Sequence, residues 1–246
     1  MIIRSISLVL VLSASMTSGC GSIPAATMPI ATIEVAEARS RNESVVIMLP
    51  VSGDRASAFI REGFEQEAKR HGIDSIAVDA HIGYYMQRKL ITRLHEDVVS
   101  PARRAGYKHV WLLGISMGGL GSLLYVANHP DEVDGVILLA PFLGNADASE
   151  EIAAKGGFAA WDRANSELEG YELAVWSTLD RMITQDDAIP LILGYGNSDR
   201  NANGYGVLLD ALEPSRVWET DGGHSWTAWR RLWAAIAANL YLAGAR

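Results

Sequence analysis

The chain has 246 residues, of which 49% are hydrophobic and 20% are charged, and its net charge at pH 7 is −8. This length and apolar content suit one domain with a sizeable core. The acidic balance, without a cluster of lysine and arginine, argues against a nucleic-acid partner, because no surface would neutralise phosphates. The single cysteine excludes an intrachain disulfide.

The first twenty residues have the pattern of an export signal. Arg4 makes the start basic, residues 5–14 are mostly apolar, and small residues then lead to Cys20. The apolar run is shorter than the roughly 20 residues that a membrane span requires. The pattern therefore predicts a signal peptide over residues 1–19.

This segment resembles a bacterial lipoprotein signal peptide, although Thr17 replaces the leucine, valine or isoleucine that the family usually has there. The resemblance implies lipidation of Cys20, a lipidated tether and lead-in over residues 20–43, and attachment to the membrane of the bacterial cell envelope. Ser22 in place of an aspartate implies the outer membrane or its periplasmic face in a Gram-negative cell. The alternatives are an ordinary secretory signal, which gives a secreted or soluble periplasmic protein, and a buried N-terminal strand.

After residue 43, apolar runs alternate with amphipathic segments. The apolar runs predict buried strands at residues 44–50, 73–78, 108–113, 136–141, 190–196 and 216–219. The two longest amphipathic segments predict helices at residues 87–104 and 225–241. The alternation indicates the α/β class, with a mostly parallel sheet covered by helices on both faces. Sites in such sheets form at the carboxyl ends of the strands.

The most informative motif lies at one such strand end. Gly114, Ser116 and Gly118 form the pattern G-x-S-x-G between an apolar strand and a run that favours a helix. A serine on a sharp strand-to-helix turn sits in strained backbone with its hydroxyl exposed, and glycines on either side let the turn close. The alternative is a glycine-rich turn with a solvated serine.

A serine hydroxyl needs a base, usually a histidine oriented by a carboxylate. His224 lies in a glycine loop between the last strand and the last helix, and Asp199 lies in the loop after the preceding strand. The order of Ser116, Asp199 and His224 is the serine–acid–histidine order of one hydrolase fold. The other five histidines are interpreted as structural: His71, His81, His95, His109 and His129. Among them His81 keeps a small reservation, because it follows a strand end.

With these three loops, most of residues 44–243 resembles an α/β-hydrolase. The resemblance implies that Ser116 is the nucleophile, that His224 is the general base and then the acid, and that Asp199 orients the histidine. It assigns the α/β-hydrolase domain to residues 44–246. Three other residues stay open as the orienting acid: Asp221, Asp147 and Glu150.

The resemblance also implies an oxyanion hole. The backbone N–H of Met117 would be one donor, and the loop after the first buried strand would supply the second. Many relatives have His-Gly in that loop, whereas this chain has Pro50 followed by Val51 and Ser52. Since proline has no N–H, the second donor is Val51 or Ser52.

Residues 142–189 resemble the small cap that this fold inserts above its site. Trp161, Tyr171 and Trp176 in that segment either line an apolar substrate channel or pack the cap onto the core. No zinc motif and no dinucleotide-binding motif is visible in the sequence, so we expect neither metal nor cofactor.

The resemblance implies a serine hydrolase that cleaves a carboxylic ester or a related small-molecule acyl substrate through an acyl-Ser116 intermediate. Two alternatives stay open. The same triad could transfer the acyl group to an acceptor other than water, as an acyltransferase does. The chain could also be a non-catalytic envelope lipoprotein that keeps the fold as a binding module. Oligomeric state is not predicted.

Overall fold

The computed structural model describes residues 23–35, 42–185 and 188–243, without the side chains of residues 146 and 241–243. The predicted signal peptide and Cys20 lie outside the described residues. Seven described strands form one sheet in the order β1-β3-β2-β4-β5-β6-β7. Their bounds are β1 Thr32–Val35, β2 Ser44–Leu49, β3 Asp74–Val78, β4 His109–Ile115, β5 Gly135–Leu139, β6 Leu191–Gly196 and β7 Val217–Thr220.

Strands β2 to β7 run parallel to their neighbours, and β1 pairs antiparallel with β3 at one edge. The central strands are buried along nearly their whole length. Continuous apolar runs favour such strands because both faces of a parallel sheet are covered by helices. The predicted α/β class with a mostly parallel sheet is confirmed.

Ten α-helices are described. They are α1 Ala56–Arg61, α2 Phe64–Arg70, α3 Ile82–Met86, α4 Leu90–Leu94, α5 Ser100–Arg104, α6 Met117–Asn128, α7 Ala146–Ala154, α8 Gly170–Thr184, α9 Gly206–Ala211 and α10 Trp226–Ala243. A π-helical turn at His95–Val99 joins α4 to α5, and short 3₁₀ turns lie elsewhere in the chain. None of the described helices has the length and apolarity needed to cross a membrane.

The predicted helix over residues 87–104 is wrong at its start. Gln87 is the C-cap of α3, and Arg88 takes a positive φ of 54°, which breaks the helical path. The helix resumes at Leu90 and continues through the π-helical turn. The amphipathic pattern predicts the buried face of this segment but not a local reversal of backbone conformation.

Two apolar clusters cover the two faces of the sheet. Helices α1, α2 and α10 cover one face, while α6 and α8 pack together on the other. The segment predicted as a cap therefore includes a core helix, because α8 packs on α6 and buries Trp176, whose indole N–H donates to the Leu143 carbonyl at 3.1 Å. Trp161 is also buried, whereas Tyr171 is exposed. Both tryptophans pack in the interior, and Trp176 also lines a small cavity.

The segment before β1 is bound to the folded body. The Thr27 N–H donates to the hydroxyl of Tyr84 on α3 at 3.1 Å, and the Ile30 N–H donates to the Asp97 carboxylate at 2.9 Å. Ile30 itself is buried. Since α3 follows the carboxyl end of β3, residues 24–30 lie at the edge of the sheet that is formed by the carboxyl ends of the parallel strands.

Candidate active site

Ser116 lies on a sharp turn between β4 and α6. Its φ of 52° and ψ of −112° fall in a region that non-glycine residues rarely adopt. Such strain amounts to about 1–3 kcal/mol and persists where the surroundings fix it. The Ser116 N–H donates to the Leu139 carbonyl, and its carbonyl accepts from the Phe142 N–H, both at 3.0 Å. The end of β5 therefore holds the strained serine in place.

The flanking glycines are required by close backbone contacts. A Cβ at Gly114 would lie 2.3 Å from the Gly118 carbonyl oxygen, and a Cβ at Gly118 would lie 2.1 Å from the Leu49 carbonyl oxygen. Both distances are far inside van der Waals contact. The predicted strand–turn–helix arrangement is present, and the first turn of α6 lies directly against the end of β2.

The structure brings Asp199 and His224 together. The His224 Nδ1 lies 3.0 Å and 3.1 Å from the two carboxylate oxygens of Asp199. The Asp199 side chain is fully buried, and its Oδ1 also accepts a hydrogen bond from the Asn201 N–H at 2.9 Å. A carboxylate on Nδ1 keeps the proton there and leaves Nε2 as a proton acceptor.

The other candidate acids occupy different positions. Asp221 is exposed and accepts a hydrogen bond from the side-chain amide of Asn197 at 2.9 Å. Asp147 and Glu150 are exposed on α7. None of the three is a hydrogen-bond partner of His224 among the described residues.

The loop after β6, which carries Asp199 (the acid loop), is hydrogen-bonded to the loop after β7, which carries His224 (the histidine loop). The Asn197 N–H donates to the Thr220 carbonyl, and the Ser198 N–H donates to the Gly222 carbonyl, both at 2.9 Å. A Cβ at Gly196 would lie 2.2 Å from the same Gly222 oxygen. The geometry of the Asp199–His224 pair therefore follows from backbone contacts as well as from the side chains.

The serine and the histidine are not hydrogen-bonded in this structure. The His224 Nε2 is buried and has no hydrogen-bond partner among the described residues. The imidazole packs against Trp229 in a T-shaped contact, with ring centroids 5.0 Å apart. Ser116, Asp199 and His224 follow β4, β6 and β7, whose carboxyl ends share one edge of the sheet. Catalytic hydrogen bonds often close only when substrate is bound.

The predicted oxyanion donors lie around the start of α6. Met117 is the first residue of that helix, so its N–H belongs to the group that has no partner within the helix. Val51 is half-buried and Ser52 is exposed, and the turn they enter is closed by an Asp54 N–H bond to the Val51 carbonyl at 3.1 Å. The hydroxyl of Tyr85 donates to the Met117 carbonyl at 2.9 Å. Tyr85 was not predicted from the sequence, since no local motif marks it.

His81, for which the sequence left a reservation, has a structural role in this fold. Its Nδ1 accepts from the Gly83 N–H at 3.2 Å and thereby caps α3. Burial, and then the nearby charge of Arg55, holds the pKa of His81 below its usual value, because both disfavour the imidazolium.

One group of described residues has the composition of a metal site. The ligand atoms of His95, His129 and Glu132 lie within 4.8 Å of one another. The two imidazoles stack in parallel with centroids 4.4 Å apart, and their Nδ1 atoms lie 2.9 Å and 3.6 Å from the Glu132 carboxylate. His95 begins the π-helical turn, and His129 and Glu132 follow α6, so the group lies outside the turn that carries Ser116.

Comparison with known proteins agrees with this architecture. A family model described as the alpha/beta hydrolase fold matches residues 93–167, which include Ser116. No curated protein sequence matches the chain. Among solved structures, the chain is similar to fluorophosphonate-binding serine hydrolase F of Staphylococcus aureus, with 15% identity and a TM-score of 0.57 over 85% of this chain and 98% of that one.

Two further structures show the same likeness. Est1E of Butyrivibrio proteoclasticus is 16% identical, with a TM-score of 0.60 over 86% of this chain and 91% of that one. The monoacylglycerol lipase of Paleococcus ferrophilus is 14% identical, with a TM-score of 0.55 over 86% and 99%. With the strand order and the serine turn, these likenesses establish that the chain has the α/β-hydrolase fold.

Proposed function

We propose that the protein is a serine hydrolase that cleaves a carboxylic ester or a related acyl compound through an acyl-Ser116 intermediate. One observation carries the proposal. A buried Asp199–His224 pair and a strained Ser116 stand at the same edge of one parallel sheet. The names of the similar structures, which include a serine hydrolase and a lipase, support the same class of reaction.

In the proposed reaction, His224 Nε2 takes the proton of the Ser116 hydroxyl while the oxygen attacks the acyl carbon. The carbonyl oxygen becomes an oxyanion, which the Met117 N–H and one N–H of Val51 or Ser52 stabilise by roughly 3–4 kcal/mol each. The carbon–oxygen bond to the leaving alcohol then breaks, and that alcohol takes the proton from His224.

Deacylation repeats these steps with water. His224 takes a proton from the water, the hydroxide oxygen bonds to the acyl carbon, and the bond to Ser116 breaks as its oxygen regains the proton. The buried carboxylate of Asp199 stabilises the imidazolium in both halves of the reaction.

The test is Ser116→Ala, assayed with 4-nitrophenyl butyrate and with a fluorophosphonate probe. We expect the variant to lose turnover and labelling, while Ser57→Ala, which changes an exposed serine on α1, keeps both. Labelling of Ser116→Ala at the wild-type rate would refute the proposal, and so would an unlabelled wild-type protein. Added alcohol acceptors should leave the free acid as the main product; a dominant transfer product would favour the acyltransferase.

We also propose that the protein is held in the bacterial envelope by lipid on Cys20. The support is the sequence pattern around that residue: a basic start, a short apolar run and small residues before the cysteine. Two or more acyl chains give stable membrane attachment, at about 0.8 kcal/mol for each buried methylene.

A further inference from the structure

A cavity of about 230 Å³ opens between the loop that follows β5 and the loop that follows β6. Residues 141–145 line one side, residues 200, 201 and 203–205 line the other, and Trp176 of α8 completes the lining. Pockets that bury drug-sized ligands measure about 300–1,000 Å³, so this cavity fits a substituent of a few heavy atoms.

The cavity adjoins both parts of the proposed active site. Phe142, a lining residue, donates its N–H to the Ser116 carbonyl at 3.0 Å. Asn201, on the opposite wall, donates its N–H to the Asp199 carboxylate at 2.9 Å. The walls are thus continuous with the nucleophile turn and with the acid loop.

The lining combines apolar side chains with polar ones and carries one positive charge. Arg200 is exposed in the cavity mouth and has no ion-pair partner among the described residues. Asn145 and Asn203 also line the cavity, and no carboxylate is among the lining residues. Two carboxylates border the walls and are already hydrogen-bonded: Asp199 accepts the Asn201 N–H at 2.9 Å, and Glu172 accepts the Asn145 N–H at 2.8 Å.

These features favour one kind of occupant. A guanidinium binds a carboxylate through two parallel hydrogen bonds, and neighbouring amide N–H groups can complete its coordination. A long apolar chain would gain no charge-assisted contact from the exposed Arg200, whereas a carboxylate would.

We propose that this cavity binds a terminal carboxylate on the acyl half of the substrate, so that the enzyme prefers monoesters of short dicarboxylic acids. This inference rests on the proposed hydrolase function. Arg200 supplies the charge that distinguishes the anionic acyl group from a neutral one, and Asn145 and Asn203 supply further donors.

The test compares two esters with the same six-carbon acyl chain, 4-nitrophenyl hydrogen adipate, which ends in a carboxylate, and 4-nitrophenyl methyl adipate, which ends in a neutral methyl ester. Spontaneous hydrolysis is subtracted from both. We expect the wild type to prefer the anionic ester in kcat/KM. Arg200→Gln should lower kcat/KM for that ester by roughly 10- to 100-fold, the size of a charge-assisted contact, and leave the neutral ester nearly unchanged. Arg200→Lys should retain part of the preference.

Arg104→Gln is the matched control, because Arg104 is also exposed but ends α5, next to the amino end of β4 and therefore at the opposite edge of the sheet. Turnover of both esters with no anionic preference, or an equal effect of Arg200→Gln on both, would overturn this inference and leave the hydrolase standing. No turnover of either ester, together with no fluorophosphonate labelling, would overturn both.

Discussion

Replacing Asp199 by asparagine tests the acid of the proposed triad with almost no change in side-chain volume. The Asp199 side chain is fully buried, and its two oxygens accept from the His224 Nδ1 and from the Asn201 N–H. An asparagine has one oxygen and one NH₂ group, so one of these two N–H donors would face another donor.

The variant can relieve that conflict by moving the imidazole proton. If the asparagine oxygen stays on the Asn201 N–H, its NH₂ group must donate to His224 Nδ1, and the proton then resides on Nε2. An Nε2 that carries a proton cannot accept the one from Ser116. The corresponding change in a serine-protease triad lowers kcat about 10⁴-fold, which is about 5 kcal/mol of activation free energy. We expect a loss of the same order.

The assay is kcat and kcat/KM with 4-nitrophenyl butyrate, with thermal unfolding to confirm that the variant folds. Asp221→Asn is the control, since Asp221 lies three residues from His224 but is exposed and bonded to Asn197. We expect it to change the activation free energy by less than about 0.5 kcal/mol, as for most surface substitutions. A folded Asp199→Asn protein with more than a tenth of wild-type kcat would refute the reasoning, as would an equal loss in the control.

Two further predictions concern pH and location. Because the pKa of His81 is lowered in the folded state, unfolding takes up a proton, and the stability linked to this group is present above about pH 6.5 and lost as pH falls through the lowered value. His81→Asn keeps an acceptor for the Gly83 N–H without titrating. Its melting temperature should therefore fall less than that of the wild type between about pH 7.5 and about pH 5. If the melting temperatures of the two proteins differ by the same amount at both pH values, this prediction is contradicted. In a Gram-negative host, the wild-type protein should be in the membrane fraction and Cys20→Ala should not, with Ser22→Ala as the control; equal distributions would contradict lipidation.

The strands were predictable because burial on both faces requires apolar residues at every position. The run that forms β2 and the run that forms β4 begin and end in the structure within two residues of their predicted bounds. Local conformational reversals were less predictable. Arg88 has no sequence signal for a positive φ, and the π-helical turn at His95–Val99 preserves the amphipathic pattern that predicts an ordinary helix.

For the site, chain order was enough to select Ser116, Asp199 and His224 because each follows a strand end of a parallel sheet. Contacts between distant segments had no such signal. The hydroxyl of Tyr85 reaches the Met117 carbonyl across 32 residues, and its effect depends on how α3 packs against α6. Burial raises the pKa of that phenol, which therefore stays a hydrogen-bond donor.

The segment packed against α3 sets the geometry of any lipid anchor. Ile23, the first described residue, is three positions from Cys20, and three residues in full extension span at most about 11 Å. An acylated Cys20 would therefore keep the folded body close to the bilayer instead of at the end of a long stalk. Since α3 also touches the start of the helix that follows Ser116, the edge of the sheet that carries Ser116 would then lie on the side of the body nearest the proposed anchor.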